Sequence, residues 1–108
     1  MSWCLYLDDV RDPRTPRPWV VVRDQGEFIA AVEERGFPGV VSFDHDLGED
    51  TPSGMDCARW LVELGIEQGV DPESIEWNVH SANPVGARNI QGLYESWVKH
   101  HRRSLGAG

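Results

Sequence analysis

Carboxylates, histidines and small hydrogen-bonding residues gather at three places in the chain. Asp8-Asp9 closes a first apolar run, Asp44-His45-Asp46 a second, and His80-Ser81 with Asn83 a third. Aspartate offers hard anionic oxygen, histidine a proton that moves near neutral pH, and serine or asparagine a hydrogen bond to phosphate. If Asp8, Asp9, Asp44 and Asp46 share one edge of the fold, they cannot all stay ionised without a cation. Mg2+, or Mn2+, suits such oxygen ligands, and the bound ion would attract a phosphate. His45 or His80 would then protonate a leaving oxygen. Arg11, three residues past Asp8, can reach the same anion. Ser81 reads better as a phosphate contact than as a nucleophile, because the sequence shows no base-and-orienter pair for it. Asn83 is first a helix cap and second a phosphate contact.

Plainer roles compete for these residues. Asp8-Asp9 would serve as turn residues, and Asp46 as an Asx-turn residue before Leu47-Gly48. Arg14, Arg17 and Arg88 read as solvated cations, and His100 and His101 as solvated partners of a helix end.

The elements that must position the three clusters follow from the spacing. Trp3 to Leu7, Trp19 to Val22, Val40 to Phe43 and Ile75 to Val79 are short, nearly continuous apolar runs, which suits strands of a parallel sheet. Helical spacing follows the last three. Asp24 with Glu27 opens one helix, ended by Gly36; Ser53 with Asp56 opens a second, ended between Gly65 and Gly69; Asn83 and Pro84 open a third. The third carries the clearest apolar stripe, Ile90, Leu93, Tyr94, Trp97 and Val98, then a basic end from His100 to Arg103 and a frayed tail from Leu105. Val10 to Pro18, with three prolines, is a crossover without a helix, and residues 49–52 form a polar loop. Trp60, Trp77 and Trp97 belong to the core, whereas Trp19 is placed to flank the site. Strand–helix alternation predicts an α/β sandwich. With strand order 2-1-3-4, the first and third strand ends meet at the switch point where such sheets bind ligands.

The chain has 108 residues and a formal net charge of -8, from 18 Asp+Glu against 10 Lys+Arg. That length predicts a single domain over residues 1–108. No apolar run approaches the roughly 18 residues of a membrane span, and no export segment opens the chain, so a cytoplasmic setting is expected. Cys4 and Cys57 lie in apolar segments, against a disulfide scaffold or a structural zinc site. An acidic chain with one lysine is a poor nonspecific DNA binder. Asp8, Asp9, Asp44 and Asp46 are four of the 18 acids, so the charge is partly concentrated at one predicted edge.

The two acids after the first strand, the acid after the third and the hydroxyl after the fourth resemble a response-regulator receiver domain. That resemblance implies a flavodoxin-like three-layer fold, Mg2+ on Asp8, Asp9 and Asp44, and phosphate acceptance at Asp44 sensed by Ser81. Receivers carry a fifth strand with a lysine; here the one lysine is Lys99, within the last helix, so about four strands are expected. Leu7-Asp8-Asp9-Val10-Arg11, Ser42-Phe43-Asp44-His45-Asp46-Leu47-Gly48 and His80-Ser81-Ala82-Asn83-Pro84 are more closely similar to the cyclic-phosphate processing receiver domain family, over roughly residues 3–100. This resemblance implies a metal-dependent phosphoesterase for cyclic or terminal phosphates of nucleotides or RNA ends. A phospho-acceptor signalling module and a non-catalytic metal- or nucleotide-binding adaptor are the alternatives.

Overall fold

The computed structural model describes residues 3–47 and 52–106. Gly48, the expected loop residues 49–51 and the last two residues of the tail lie outside that range.

Four parallel strands, β1 (Cys4–Leu7), β2 (Trp19–Val22), β3 (Val40–Phe43) and β4 (Glu76–Val79), form one sheet in the order β2-β1-β3-β4. This is the predicted order, with a receiver-like α/β layout. Helices α1 (Gln25–Arg35), α2 (Gly54–Gln68) and α3 (Pro84–Gly106) follow β2, β3 and β4. Their starts are fixed by the residues the sequence singled out. Asp24 accepts the Glu27 N–H, and Ser53 and Asp56 form a reciprocal capping box. Asn83 Oδ1 accepts the N–H groups of Val85 and Gly86. The Glu27 carboxylate departs from the reciprocal pattern and takes the N–H of Arg23, one residue before the cap. Gly69 ends α2 at φ 71°, a left-handed conformation that glycine adopts without steric cost.

Two local expectations are corrected. A 3-10 turn, Pro72–Ser74, precedes β4 and takes Ile75 as its C-cap, so the strand begins at Glu76. The tail expected to fray from Leu105 is helical to Gly106. Its last turns are tied to the loop before β4, where Arg102 pairs with Glu73 and His101 lies 3.6 Å from Asp71.

The handedness of the connections decides which sheet face each covers. From β2 to β3 and from β3 to β4 the chain advances across the sheet in one direction; from β1 to β2 it steps the opposite way. Right-handed crossovers therefore put α1 and α2 on one face and the β1–β2 connection on the other. Helix α3 packs on α2 and β4, on the first face. There Leu5, Leu7, Val22, Val41, Phe43 and Trp77 meet Phe28, Val32, Leu61, Ile90 and Trp97 in one core. Cys57 is fully buried there, and burial pushes its thiol up to about 12, so it behaves as a small apolar side chain. The opposite face carries Trp19, Cys4, Val40 and Glu76 in one register row and Val21, Tyr6, Ser42 and Asn78 in the next. Its covering layer is the helix-free loop of residues 10–18.

Candidate metal and phosphate site

The ladder continues one residue beyond each strand. Asp8 N–H donates to Val22, Asp44 N–H to Leu7 and His80 N–H to Phe43. Side chains alternate between sheet faces, so Asp8 follows Tyr6, Asp44 follows Ser42 and His80 follows Asn78 onto the helix-free face. The pleat thus brings Asp8, Asp44 and His80 into one row at the carboxyl edge of the sheet, at the β1/β3 switch point.

Asp8, Asp9 and Asp44 each present a carboxylate oxygen, and these oxygens lie within 4.8 Å of one another. Asp8 and Asp44 are buried, yet their surroundings differ. Asp8 Oδ1 accepts the N–H groups of Val10 and Arg11 at 3.0 and 2.9 Å. Its Oδ2 faces His80 Nε2 at 3.1 Å and Arg11 Nε at 3.6 Å. Burial pushes the Asp8 carboxyl up, but these hydrogen bonds and cations outweigh it and hold it below its ordinary value. Asp44 is raised by burial and then by the charge of Asp8, against a weaker pull from Ser81, His80 and the Asp46 backbone. One anion is compensated by the fold and its neighbour is not. Three carboxylates with an uncompensated negative charge among them fit a divalent, oxygen-preferring cation.

His80 is held on three sides. Its ring stacks on Tyr6, with centroids 4.4 Å apart and planes 5° from parallel. Ser42 Oγ lies 2.6 Å from its Nδ1. Ionised Asp8 can only accept, so Nε2 carries the hydrogen that points at it, and Nδ1 accepts from the Ser42 hydroxyl in the neutral ring. Burial lowers the His80 pKa, with the charges of Asp8 and Asp44 pulling it back up.

The remaining predicted residues divide between this cluster and another. Ser81 lies close enough to Asp44 to draw its carboxyl pKa down, and its Oγ accepts the Asn83 N–H at 3.1 Å. Arg11 lies beside Asp8 with half its side chain exposed. His45, Asp46 and Asn83 form a separate group. His45 Nδ1 is 2.9 Å from Asp46 Oδ1, and the Asn83 amide is 3.4 Å from Asp46 while its oxygen caps α3. This bond to His45 holds the exposed Asp46 below its ordinary pKa. The His45 ring packs on Gly86, where an added Cβ would come 2.3 Å from it. The structure therefore brings Asp8, Asp9, Asp44, His80, Ser81 and Arg11 together and places His45, Asp46 and Asn83 at the entrance to α3. Arg88 is exposed, as expected.

Three residues important to this geometry escaped the sequence reading. Ser42 and Tyr6 hold His80, but each is embedded in an apolar run whose two faces look alike in sequence. Arg23 follows β2 and braces the loop after β1. Its guanidinium donates to the carbonyls of Asp8 and Arg11 at 3.2 and 2.8 Å and to Asp12 at 2.6 Å. A cation directly after β2 was the available signal.

Beside His80 a cleft of about 680 Å³ opens along the helix-free face, and Trp19, Arg11 and Arg14 are among its walls. Trp19 flanks the site as its position after the proline loop suggested. Among the described residues no helix is long and apolar enough to cross a membrane.

The model of one protein family, described as the cyclic-phosphate processing receiver domain, matches residues 3–96. The match takes in all four strands and every residue of the carboxylate–histidine cluster. No curated protein and no solved structure matches the chain.

Proposed function

The chain belongs to the cyclic-phosphate processing receiver domain family, and from that premise we propose that it is a metal-dependent phosphoesterase acting on cyclic or terminal phosphates of nucleotides or RNA ends. The observation that carries this reading is the trio of carboxylates, Asp8, Asp9 and Asp44, with oxygens within 4.8 Å of one another, beside a histidine and an arginine.

Asp8, Asp9 and Asp44 would hold Mg2+ or Mn2+, which when bound polarises a phosphoryl oxygen and supplies a positioned water. Arg11 and the Ser81 hydroxyl bind other phosphate oxygens, each from the rim of the cluster. His80, oriented by Tyr6, Ser42 and Asp8 and neutral at rest, takes the proton that the attacking water loses and, as the imidazolium, gives a proton to the departing alkoxide, which returns the ring to its neutral form. A cyclic phosphodiester suits this set, since one ring oxygen leaves and needs a proton while the phosphorus stays anchored. His45 and Asp46, with Asn83, fix the start of α3 against the β3–α2 connection. Both cysteines are free, which fits a reducing cytoplasmic setting.

The test is turnover of a 2′,3′-cyclic nucleotide panel in Mg2+ or Mn2+. Hydrolysis is expected in the wild type and is lost in Asp44→Asn. No turnover by folded protein across the panel overturns the reading. A second reading has its own support in the placement of Ser81 beside Asp44, close enough to lower its carboxyl pKa: a phospho-acceptor module in which Ser81 reports phosphorylation of Asp44. A beryllofluoride-induced conformational shift, absent from Asp44→Asn and unaccompanied by turnover, would favour it.

A further inference from the structure

The proposed chemistry uses the cleft on the helix-free face only at its rim. Building on that phosphoesterase reading, we infer that the rest of the cleft is a subsite for one nucleoside, with the base in the aromatic corner of Tyr6 and Trp19 and the phosphate-bearing ribose edge toward His80.

The dimensions set the size of the ligand. The cleft's 680 Å³ lies within the range of small-molecule sites. It runs along β4 from His80 to Glu76, four residues at strand rise and so roughly 13 Å. That is about the reach from a ribose phosphate to the far edge of a base. At its far end a half-exposed bidentate pair bridges the loop and β4, Arg17 to Glu76 at 2.7 and 3.1 Å. A terminal nucleoside with its phosphate at the carboxylate end fits between that pair and His80.

The lining sets its chemistry. Trp19 meets the buried Tyr6, itself stacked on His80, at 65° with centroids 5.5 Å apart, Arg17 lies 5.8 Å from the indole centroid, and Thr15 Oγ1 fixes the indole N–H at 2.8 Å, so Trp19 is the ring left for a base to stack on and Tyr6 is the wall beside it. Flat heteroaromatic rings stack on such surfaces with little regard to sequence. Asn78, on the floor in register with Ser42, gives its Nδ2 to Glu76, and its Oδ1 has no partner among the described residues, leaving an acceptor for a base edge. Three of the chain's 10 Lys+Arg fall within residues 11–17, on a molecule of net charge -8. Arg11 faces Asp8 and Arg17 faces Glu76; Arg14 has no carboxylate within 4.0 Å among the described residues. Arg14 is thus the cation left for a second anionic group, the 5′-phosphate that joins a terminal nucleoside to an RNA chain.

The experiment titrates wild-type protein in Mg2+ with a nucleoside 2′,3′-cyclic phosphate and with ethylene phosphate, a base-free cyclic diester of the same charge. Trp19 is followed by the NMR signal of its indole N–H, assigned through Trp19→Phe, and product is measured in the same samples. The nucleoside ligand is expected to shift that signal and to bind about tenfold more tightly than the base-free ester. Trp19→Phe keeps the preference, and Trp19→Leu, which preserves apolar bulk without a π face, loses it. Equal affinity for the two ligands, or an unmoved Trp19 signal, overturns the subsite. Base-dependent binding without turnover leaves the subsite standing and removes the phosphoesterase reading; turnover without base preference does the reverse. The source of the nucleoside comes from adding a 5′-phosphate or a short RNA carrying the cyclic end. A gain in affinity that Arg14→Gln abolishes supports the subsite on an RNA terminus, and base preference with no such gain supports it on a free nucleotide.

Discussion

The strands that give Leu5, Leu7, Val41 and Phe43 to three helices give Tyr6, Ser42, Asp8 and Asp44 to a single proline-rich loop. The helix-covered face is apolar and closed. The loop-covered face is polar and concave, and it ends in the carboxylate–histidine row. The difference begins with the direction of three crossovers. Two helical connections advance one way across the sheet and must share a face, while the short β1–β2 connection steps back and has the other face to itself. A loop with three prolines cannot bury a continuous apolar surface, so the residues beneath it are free to be chosen for binding and catalysis. Neighbours in sequence then have different work: Phe43 holds the fold together, and Asp44 faces the site.

The sharpest way to break this division is to damage each face and compare. Phe43→Ala empties a fully buried site on the closed face and should cost ~3–5 kcal/mol in denaturant unfolding. Gly54→Ala strikes where the faces join. An added Cβ would come 1.8 Å from the Asp44 carbonyl oxygen, so a backbone shift costing ~1–3 kcal/mol should appear in the same assay, with loss of metal binding.

Within the open face, Asp8 and Asp44 should respond with opposite signs in metal-free buffer. Asp8 has a folded pKa below its ordinary value, so its stabilisation is present above the unfolded carboxylate pKa and is lost as pH falls through the folded one. Asp8→Asn removes the anion that accepts three hydrogen bonds and faces the Arg11 guanidinium, and should destabilise by ~1–3 kcal/mol at neutral pH. Asp44 has a raised folded pKa, so its favourable contribution belongs to low pH and is gone once pH passes that value. Asp44→Asn should therefore stabilise slightly, by ~1 kcal/mol or less, an effect that disappears as pH is lowered toward 4. Equal effects of the two variants would contradict the account of one compensated and one uncompensated anion. The smallest effect is expected at Glu76→Gln. It releases an exposed ion pair, should leave the melting temperature within error, and should loosen the far end of the cleft, visible as exchange broadening of residues 12–18.

Much of this was legible in the sequence because it lies in strongly marked residues. The caps at Asp24, Ser53 and Asn83 follow from turn chemistry, and the gathering of Asp8, Asp9 and Asp44 follows from polar residues that interrupt apolar runs once the strand order of an open α/β sheet is adopted. The role of Ser42 was not legible, because a parallel strand buried on both sides reads as continuous and hides which face a residue takes. The His80 clamp by Tyr6 and Ser42 depends on register across β1, β3 and β4, which spacing along one strand does not encode. His45 and Asp46 carry the same residue types as the site but turn to α3, because the chain leaves the sheet after Asp44 and the alternation stops. The length of α3 depends on Arg102 and His101 meeting Glu73 and Asp71, a tertiary contact that overrides the local tendency of the tail to fray.

Whether the open face at the β1/β3 switch point holds a divalent cation is decided by paramagnetic broadening of backbone amide signals as Mn2+ is added. Saturable loss of signal is expected around Asp8 to Arg11, Asp44 to Asp46 and His80 to Ser81, with the far turns of α2 and α3 unaffected, and no such loss in Asp44→Asn. Broadening spread over the exposed acids of the helices, or the same broadening in Asp44→Asn, would contradict a cation site there.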